Sequence, residues 1–258
     1  MDDTIRLLYL EAMGITVWRP KASNVSIPLF TSEAGNHKQP EPFASSGEDT
    51  AYIASIDQPD SPDNSGYATP STVAGMDWEE LESTVSVCPK CRLCETRTQT
   101  VFGSGSKKAD WLVIGEGPGQ QEDLQGKPFV GPAGQLLTEM LRAIGLDREE
   151  VYITNIVKCR PPNNRDPKPD EAEACRPYLD RQIELIQPKI ILAAGRIAAQ
   201  SLLQTEAAVS KLRGKVHTLN QTPVVVVYHP SYLLRSPTEK KKAWLDLQLA
   251  LNTYREQK

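Results

Sequence analysis

Four short apolar runs punctuate the C-terminal two-thirds of the chain, at residues 111–114, 151–157, 190–194 and 224–228. They are short and almost continuously apolar, the pattern of strands buried on both faces. Between them the period changes. Leu136, Leu137, Met140, Leu141 and Ile144 recur at helical spacing, and Gly145 ends the run. Residues 170–186 read as a helix bounded by Pro169 and Pro188, residues 196–203 as a short helix, and 238–253 as the last one. This alternation predicts an α/β fold with a central, mostly parallel four-stranded sheet covered on both faces. In such sheets the loops leaving the carboxyl ends of the strands build the site.

The first third reads differently. Residues 1–23 form a short apolar-rich peptide with Leu7, Leu8, Tyr9, Leu10, Met13, Ile15 and Trp18. Residues 24–76 are rich in Ser, Pro, Asp, Gly and Asn and read as a disordered acidic linker. The globular domain is expected over 77–258. Residues 1–86 carry 4 Lys/Arg against 14 Asp/Glu, whereas 87–258 carry 25 against 19. The net charge of −4 therefore describes neither part. A mildly basic domain can sit on phosphate, and an acidic segment stays off it. No apolar run is long enough to span a bilayer, and the first residues lack the basic start of a secretory signal, so no membrane and a cytoplasmic location are expected.

All five cysteines, Cys88, Cys91, Cys94, Cys159 and Cys175, lie in the basic part. An odd number without a secretory signal argues against a disulfide scaffold. Cys91-x2-Cys94 and Cys159-x15-Cys175 form two pairs, and four thiolates fit either Zn2+ or an iron–sulfur cluster. Cys88-x2-Cys91 is an equally spaced alternative pair.

Three strand-end loops carry candidate chemistry. The first holds Gly115, Glu116, Gly117, Pro118 and Gly119, a glycine-rich turn that allows close backbone approach. It lacks the Lys-Ser/Thr of a phosphate loop, and Pro118 breaks the dinucleotide pattern. Phe129 follows within a rigid Gly/Pro segment and suits either a structural ring or a wall for a flat base. Asn155, near the end of the second strand, offers a donor and an acceptor, the pattern that reads a pyrimidine edge. His229 leaves the fourth strand and either closes a loop or donates to developing negative charge. Leu233 and Leu234 beside Arg235 fit a wedge with a phosphate contact, or buried core. Lys158 and Arg160 are further candidates for phosphate.

The combination GEGPGQQED, GKPFVG, ITNIVKCRPP-NNRDP, Cys159-x15-Cys175 and HPSYLLR closely resembles the family 4 iron–sulfur uracil-DNA glycosylases, from about Cys88 to the C-terminus. The resemblance implies a three-layer α/β/α sandwich with a cluster-binding region and a [4Fe-4S] cluster on Cys91, Cys94, Cys159 and Cys175, leaving Cys88 extra. It implies a monofunctional enzyme that removes uracil from single- or double-stranded DNA and leaves an abasic site in base-excision repair. Glu116 would face the glycosidic bond and the water, Phe129 would stack on flipped uracil, Asn155 would read it, and His229 would point at its O2. Gly115 and Gly117 belong to the same pocket motif. Lys158, Arg160, Leu233, Leu234 and Arg235 would meet DNA. A non-catalytic DNA-binding scaffold and a glycosylase for other deaminated bases are the alternatives. The expected protein is a monomer near the bacterial nucleoid. The run YLEAMGITVWRP is similar to the peptide by which the psi subunit of the bacterial clamp loader holds its chi partner, which implies a chi-like replisome partner for residues 1–23.

Overall fold

A computed structural model describes residues 73–257, together with Leu7, Glu11 and Gly14. These described residues belong to one compact unit. The expected peptide 1–23 with its replisome partner, and the expected linker 24–76, lie outside the described residues except for Leu7, Glu11, Gly14 and 73–76. Among the described residues no helix is long and apolar enough to cross a membrane.

Helix α1 (Trp78–Ser86) opens the domain. Asp77 caps it by accepting from the Glu79 and Glu80 main chains at 2.9 Å, and Glu80 accepts from the Asp77 main chain at 3.1 Å. A two-residue strand β1 (Ser104–Gly105) precedes β2 (Trp111–Gly115), every residue of which is buried. Short helix α2 (Gln120–Gln125) and α3 (Pro132–Ala143) lead to β3 (Tyr152–Asn155). Helix α4 (Pro169–Ile186) precedes β4 (Ile190–Ala194), α5 (Arg196–Leu203) and α6 (Val209–Leu212). The hairpin β5 (Val216–Leu219) and β6 (Thr222–Val227) then runs into α7 (Pro230–Arg235) and α8 (Lys240–Arg255). Proline takes a first-turn position in α3, α4 and α7, where its missing N–H costs nothing.

The sheet runs β1-β3-β2-β4-β6-β5, with the inner four strands parallel and both edges antiparallel. The expected four-stranded sheet is thus corrected to six strands, the inner four being those read from the sequence. Both edge strands lack a continuous apolar run. Strand β1 is Ser-Gly, and β5 alternates exposed and half-buried positions.

Alternation along the strands divides the core into two layers. Leu112, Ile114, Ile191, Ala193, Val224 and Val226 face one side, with Leu81 of α1, Tyr178 and Leu179 of α4, and Ala198 and Leu202 of α5. Trp111, Val113, Ile153, Leu192, Val225 and Val227 face the other, with Leu137, Met140 and Leu141 of α3 and Ala243 and Leu247 of α8. Burying each large aliphatic side chain contributes about 1.5–3 kcal/mol, so both helical layers are held by the same strands. The chain leaves β2 for β3 on one side and returns to β4 on the other. That reversal opens a crevice beyond the carboxyl end of β2.

Candidate active site

A cleft of about 790 Å3 lies at that reversal, lined by the loops leaving β2, β3, β4 and β6. Glu116, Gly117, Phe129, Asn155, His229 and Arg235 all line it. The side chains singled out from separate loops are therefore gathered in one place.

Phe129 and Asn155 line a slot of this cleft beside Gly115. Phe129 is buried with φ +52°, a left-handed conformation that is costly for an aromatic residue. Two side chains hold the turn. Glu122 Oε1 accepts from the main-chain N–H of Val130 at 2.9 Å and of Gly131 at 3.0 Å, while Arg148 Nη2 donates to the Pro128 carbonyl at 2.6 Å. Asn155 is 2% exposed, and its Oδ1 has no hydrogen-bond partner in the protein. An unmet buried acceptor costs about 1–3 kcal/mol, a cost that a ligand N–H would offset. Gly115 makes the approach possible. A Cβ there would collide with Asn155 Oδ1 and come within 2.7 Å of the Phe129 ring.

His229 lines the same cleft. Its Nδ1 accepts from the Ser231 main-chain N–H at 3.2 Å and lies 2.7 Å from Ser231 Oγ, capping α7. With Nδ1 used as an acceptor, the ring proton is assigned to Nε2. Burial, with Arg235 adding to it, pushes the imidazole down to about 4, so it is neutral at physiological pH. The Phe129 and His229 ring centroids are 5.6 Å apart with planes 31° from parallel. Gly195, at φ +95°, admits the histidine, since a Cβ there would lie 2.8 Å from His229 Cβ.

Glu116 also lines the cleft. Burial, then the nearby Asp166 charge and a hydrogen bond to Asp166, push its carboxyl up to about 7, against a smaller opposite pull from Arg196. Asp166 also pairs with Arg196 at the start of α5. Asp166 and Arg196 were missed as site residues because only the fold brings the 160–168 loop, α5 and Glu116 together. Glu122, inside the GEGPGQQED run, and Arg148, outside every motif, act on Phe129 through main-chain contacts that the sequence does not show.

Over residues 102–248 the chain matches the model of the uracil DNA glycosylase superfamily. That span exceeds half of its 258 residues.

The chain belongs to the uracil DNA glycosylase superfamily.

It is similar to the type-4 uracil-DNA glycosylase of Archaeoglobus fulgidus, with 48% identity over 62% of this chain and 84% of the relative. The type-4 enzyme of Thermotoga maritima is 46% identical over 61% of this chain and 83% of its own length. The type-5 uracil-DNA glycosylase of Thermus thermophilus is more distant, at 30% identity over 50% of this chain and 73% of the relative.

Not every residue expected from that resemblance takes its expected place in this superfamily member. Lys158 is 1% exposed, its ammonium turned into the core rather than to the surface. Its Nζ donates to Thr154 Oγ1 at 2.6 Å, the Asn155 carbonyl at 2.8 Å and Gln182 Oε1 at 2.6 Å. Three acceptors in the low-dielectric interior hold it beneath the sheet end, so its role as a DNA contact is corrected. Leu233 is fully buried in the core, while Leu234 is 43% exposed, so the pair cannot insert as a unit. Arg160 is half-buried, its Nε donating to Asn164 Oδ1 at 2.7 Å, and Arg235 is exposed on the cleft rim.

The expected [4Fe-4S] cluster is also corrected. Among the described residues, no group of three or more His, Cys, Asp or Glu side chains is placed to hold a metal ion. Cys88, Cys91, Cys159 and Cys175 border a cavity of about 10 Å3, and Cys94, one of the four expected ligands, does not. That space is the size of one water. In the metal-free protein burial pushes the Cys159 thiol up to about 11 and the Cys175 thiol up to about 12, so both are protonated there. Arg97 Nη1 donates to Cys159 Sγ at 3.1 Å, and the Tyr178 hydroxyl lies 3.3 Å from Cys88 Sγ. Cys159 and Cys175 belong to the core, and the partly buried Cys88 and Cys91 pack against it.

Proposed function

We propose that the cleft hydrolyses the N-glycosidic bond of uracil in single- or double-stranded DNA, releasing uracil and leaving an abasic site. The observation that carries this reading is the buried, unpartnered Oδ1 of Asn155, a residue that lines the cleft together with Phe129. A flat base with adjacent N–H and C=O groups satisfies both ends of that amide, as uracil N3–H and O4 do. Phe129 stacks on one face of the flipped ring, which recovers part of the few kcal/mol spent on unstacking.

Each remaining group then has a step. As the C1′–N1 bond breaks, its electron pair moves onto the base. The neutral His229 donates from Nε2 to the uracil O2, stabilising the anion without giving up its proton. Glu116, as a carboxylate, faces the cationic sugar and accepts a proton from the water whose oxygen bonds to C1′. Asp166 and Arg196 fix the carboxylate and set how readily it loses its own proton.

A labelled single-stranded oligonucleotide with one uracil tests this reading. Incubated with the protein without added Mg2+, it should break at that position on heating in alkali. An intact strand after incubation with folded protein, in both single-stranded and U·G form, would overturn the assignment.

A further inference from the structure

Helix α7 carries a second surface on the rim of the same cleft, beyond the base slot. Its Leu233 is buried, which turns Tyr232 and Arg235, one helical turn apart, to a common outer side. Tyr232 is 36% exposed although it is a large aromatic residue, and Tyr232 and Arg235 both line the cleft. The ring is not loose. It lies against Tyr228 with centroids 5.0 Å apart and planes at 43°. Tyr228 is backed in turn by the Arg213 guanidinium, 5.6 Å from its ring centre. Arg213 is anchored by two hydrogen bonds to the buried Asp246, at 2.8 and 2.9 Å, and by one to the Lys242 carbonyl at 2.7 Å. A braced aromatic face with a cation one turn away has the chemistry of a nucleotide site: a ring for a base and a guanidinium for its phosphate.

We propose that Tyr232, braced by Tyr228, stacks on the unpaired base next to the excised nucleotide while Arg235 meets the adjoining phosphate, forming a flanking-nucleotide subsite. This deepens the glycosylase reading and rests on it for the position of the neighbouring nucleotide. In a duplex the flanking base is paired and stacked on its own neighbours. The subsite therefore favours single-stranded DNA.

The test is fluorescence anisotropy with single-stranded oligonucleotides carrying a stable abasic analogue at the central position, so that binding is read without turnover. One set keeps both flanking bases, and two others lack the base on the 5′ or the 3′ side. Base–aromatic stacking predicts that Tyr232→Ala weakens binding of the fully flanked strand by about 5- to 100-fold. It should do so by less than about twofold on one of the two base-deleted strands, where there is no base left to stack. Tyr232→Phe, which keeps the ring, should bind as the wild type does. Arg235→Gln should flatten the salt dependence by about 0.7 in log–log slope, the value for one phosphate of a single strand. Equal loss for Tyr232→Ala on all three strands, or no loss on the fully flanked one, would overturn the subsite. Failure of the parent reading looks different: no uracil is released even though the binding pattern holds.

Discussion

Lys158 donates to the main-chain carbonyl of Asn155 at 2.8 Å from inside the core, so a residue that lines the cleft is held by a buried cation. The same ammonium reaches Thr154 and Gln182, and Gln182 Nε2 donates to the Phe102 carbonyl at 3.0 Å. The end of β3 is thus tied to α4 and to the segment before β1. Lys158→Met keeps most of the volume but removes the donor from two side-chain acceptors and one carbonyl. Loss of about 1–3 kcal/mol for each acceptor left unpaired is expected. A urea titration checks the stability, and uracil release by the folded fraction should fall as well. A variant with wild-type stability and activity would show that the anchor is idle.

Gly115→Ala should act on the slot rather than on the fold. The added methyl meets Asn155 and the Phe129 ring, both of which border the cleft. Excision should fall by about 100-fold or more, since a 1 Å misplacement of positioning groups costs on that order. Circular dichroism should still report folded protein.

Removing the proposed oxyanion donor with His229→Ala should lower the single-turnover rate by about 10²–10³-fold, or about 3–4 kcal/mol. Binding of uracil-containing DNA should change far less, because the donor matters most once charge has moved onto the base. A variant that loses binding and keeps its rate would reassign His229 to substrate capture.

The pH profile follows from Glu116. Its carboxyl lies at about 7, so the excision rate should rise with pH through that value as the carboxylate forms. His229, at about 4, stays neutral across that rise and adds no limb to it. Asp166→Asn removes the charge that disfavours a second carboxylate and frees Arg196, so the midpoint should move to lower pH. Stability runs the opposite way. A carboxyl raised from 4.5 favours the folded state below 4.5, and that contribution is lost as pH rises through about 7. Glu116→Gln should therefore unfold at higher temperature than the wild type above pH 7.

What the sequence made legible follows from local pattern. The inner strands were readable because burial on both faces leaves an unbroken apolar run. Helices α3, α4, α5 and α8 were readable from their period and their bounding residues, whereas the short α2, α6 and α7 carry too few turns to show a period. Edge strands β1 and β5 were not, because Ser104–Gly105 has no pattern and β5 is half solvated. Asn155 stood out as an amide at the end of an apolar strand. Lys158 misled, since a lysine beside Cys159 and Arg160 reads as surface charge. Only the fold shows Gln182 and Thr154 waiting for it. Asp166 depends on a contact with Glu116, fifty positions earlier in the chain, that no local signal carries. Cysteine spacing suggested a shared centre, whereas among the described residues no group of three or more His, Cys, Asp or Glu side chains is placed to hold a metal ion.

The central claim is that Asn155 Oδ1 receives the N3–H of uracil, and it is tested most directly by taking that hydrogen away. Two oligonucleotides are compared under single-turnover conditions, one with uracil and one with 3-methyluracil at the same position. Sites built to bond a substrate N–H reject analogues lacking it by about 10⁴–10⁵-fold. Uracil should therefore be released and 3-methyluracil retained, and Asn155→Ala should lose most of that discrimination along with its activity. Release of both bases at comparable rates would contradict the account.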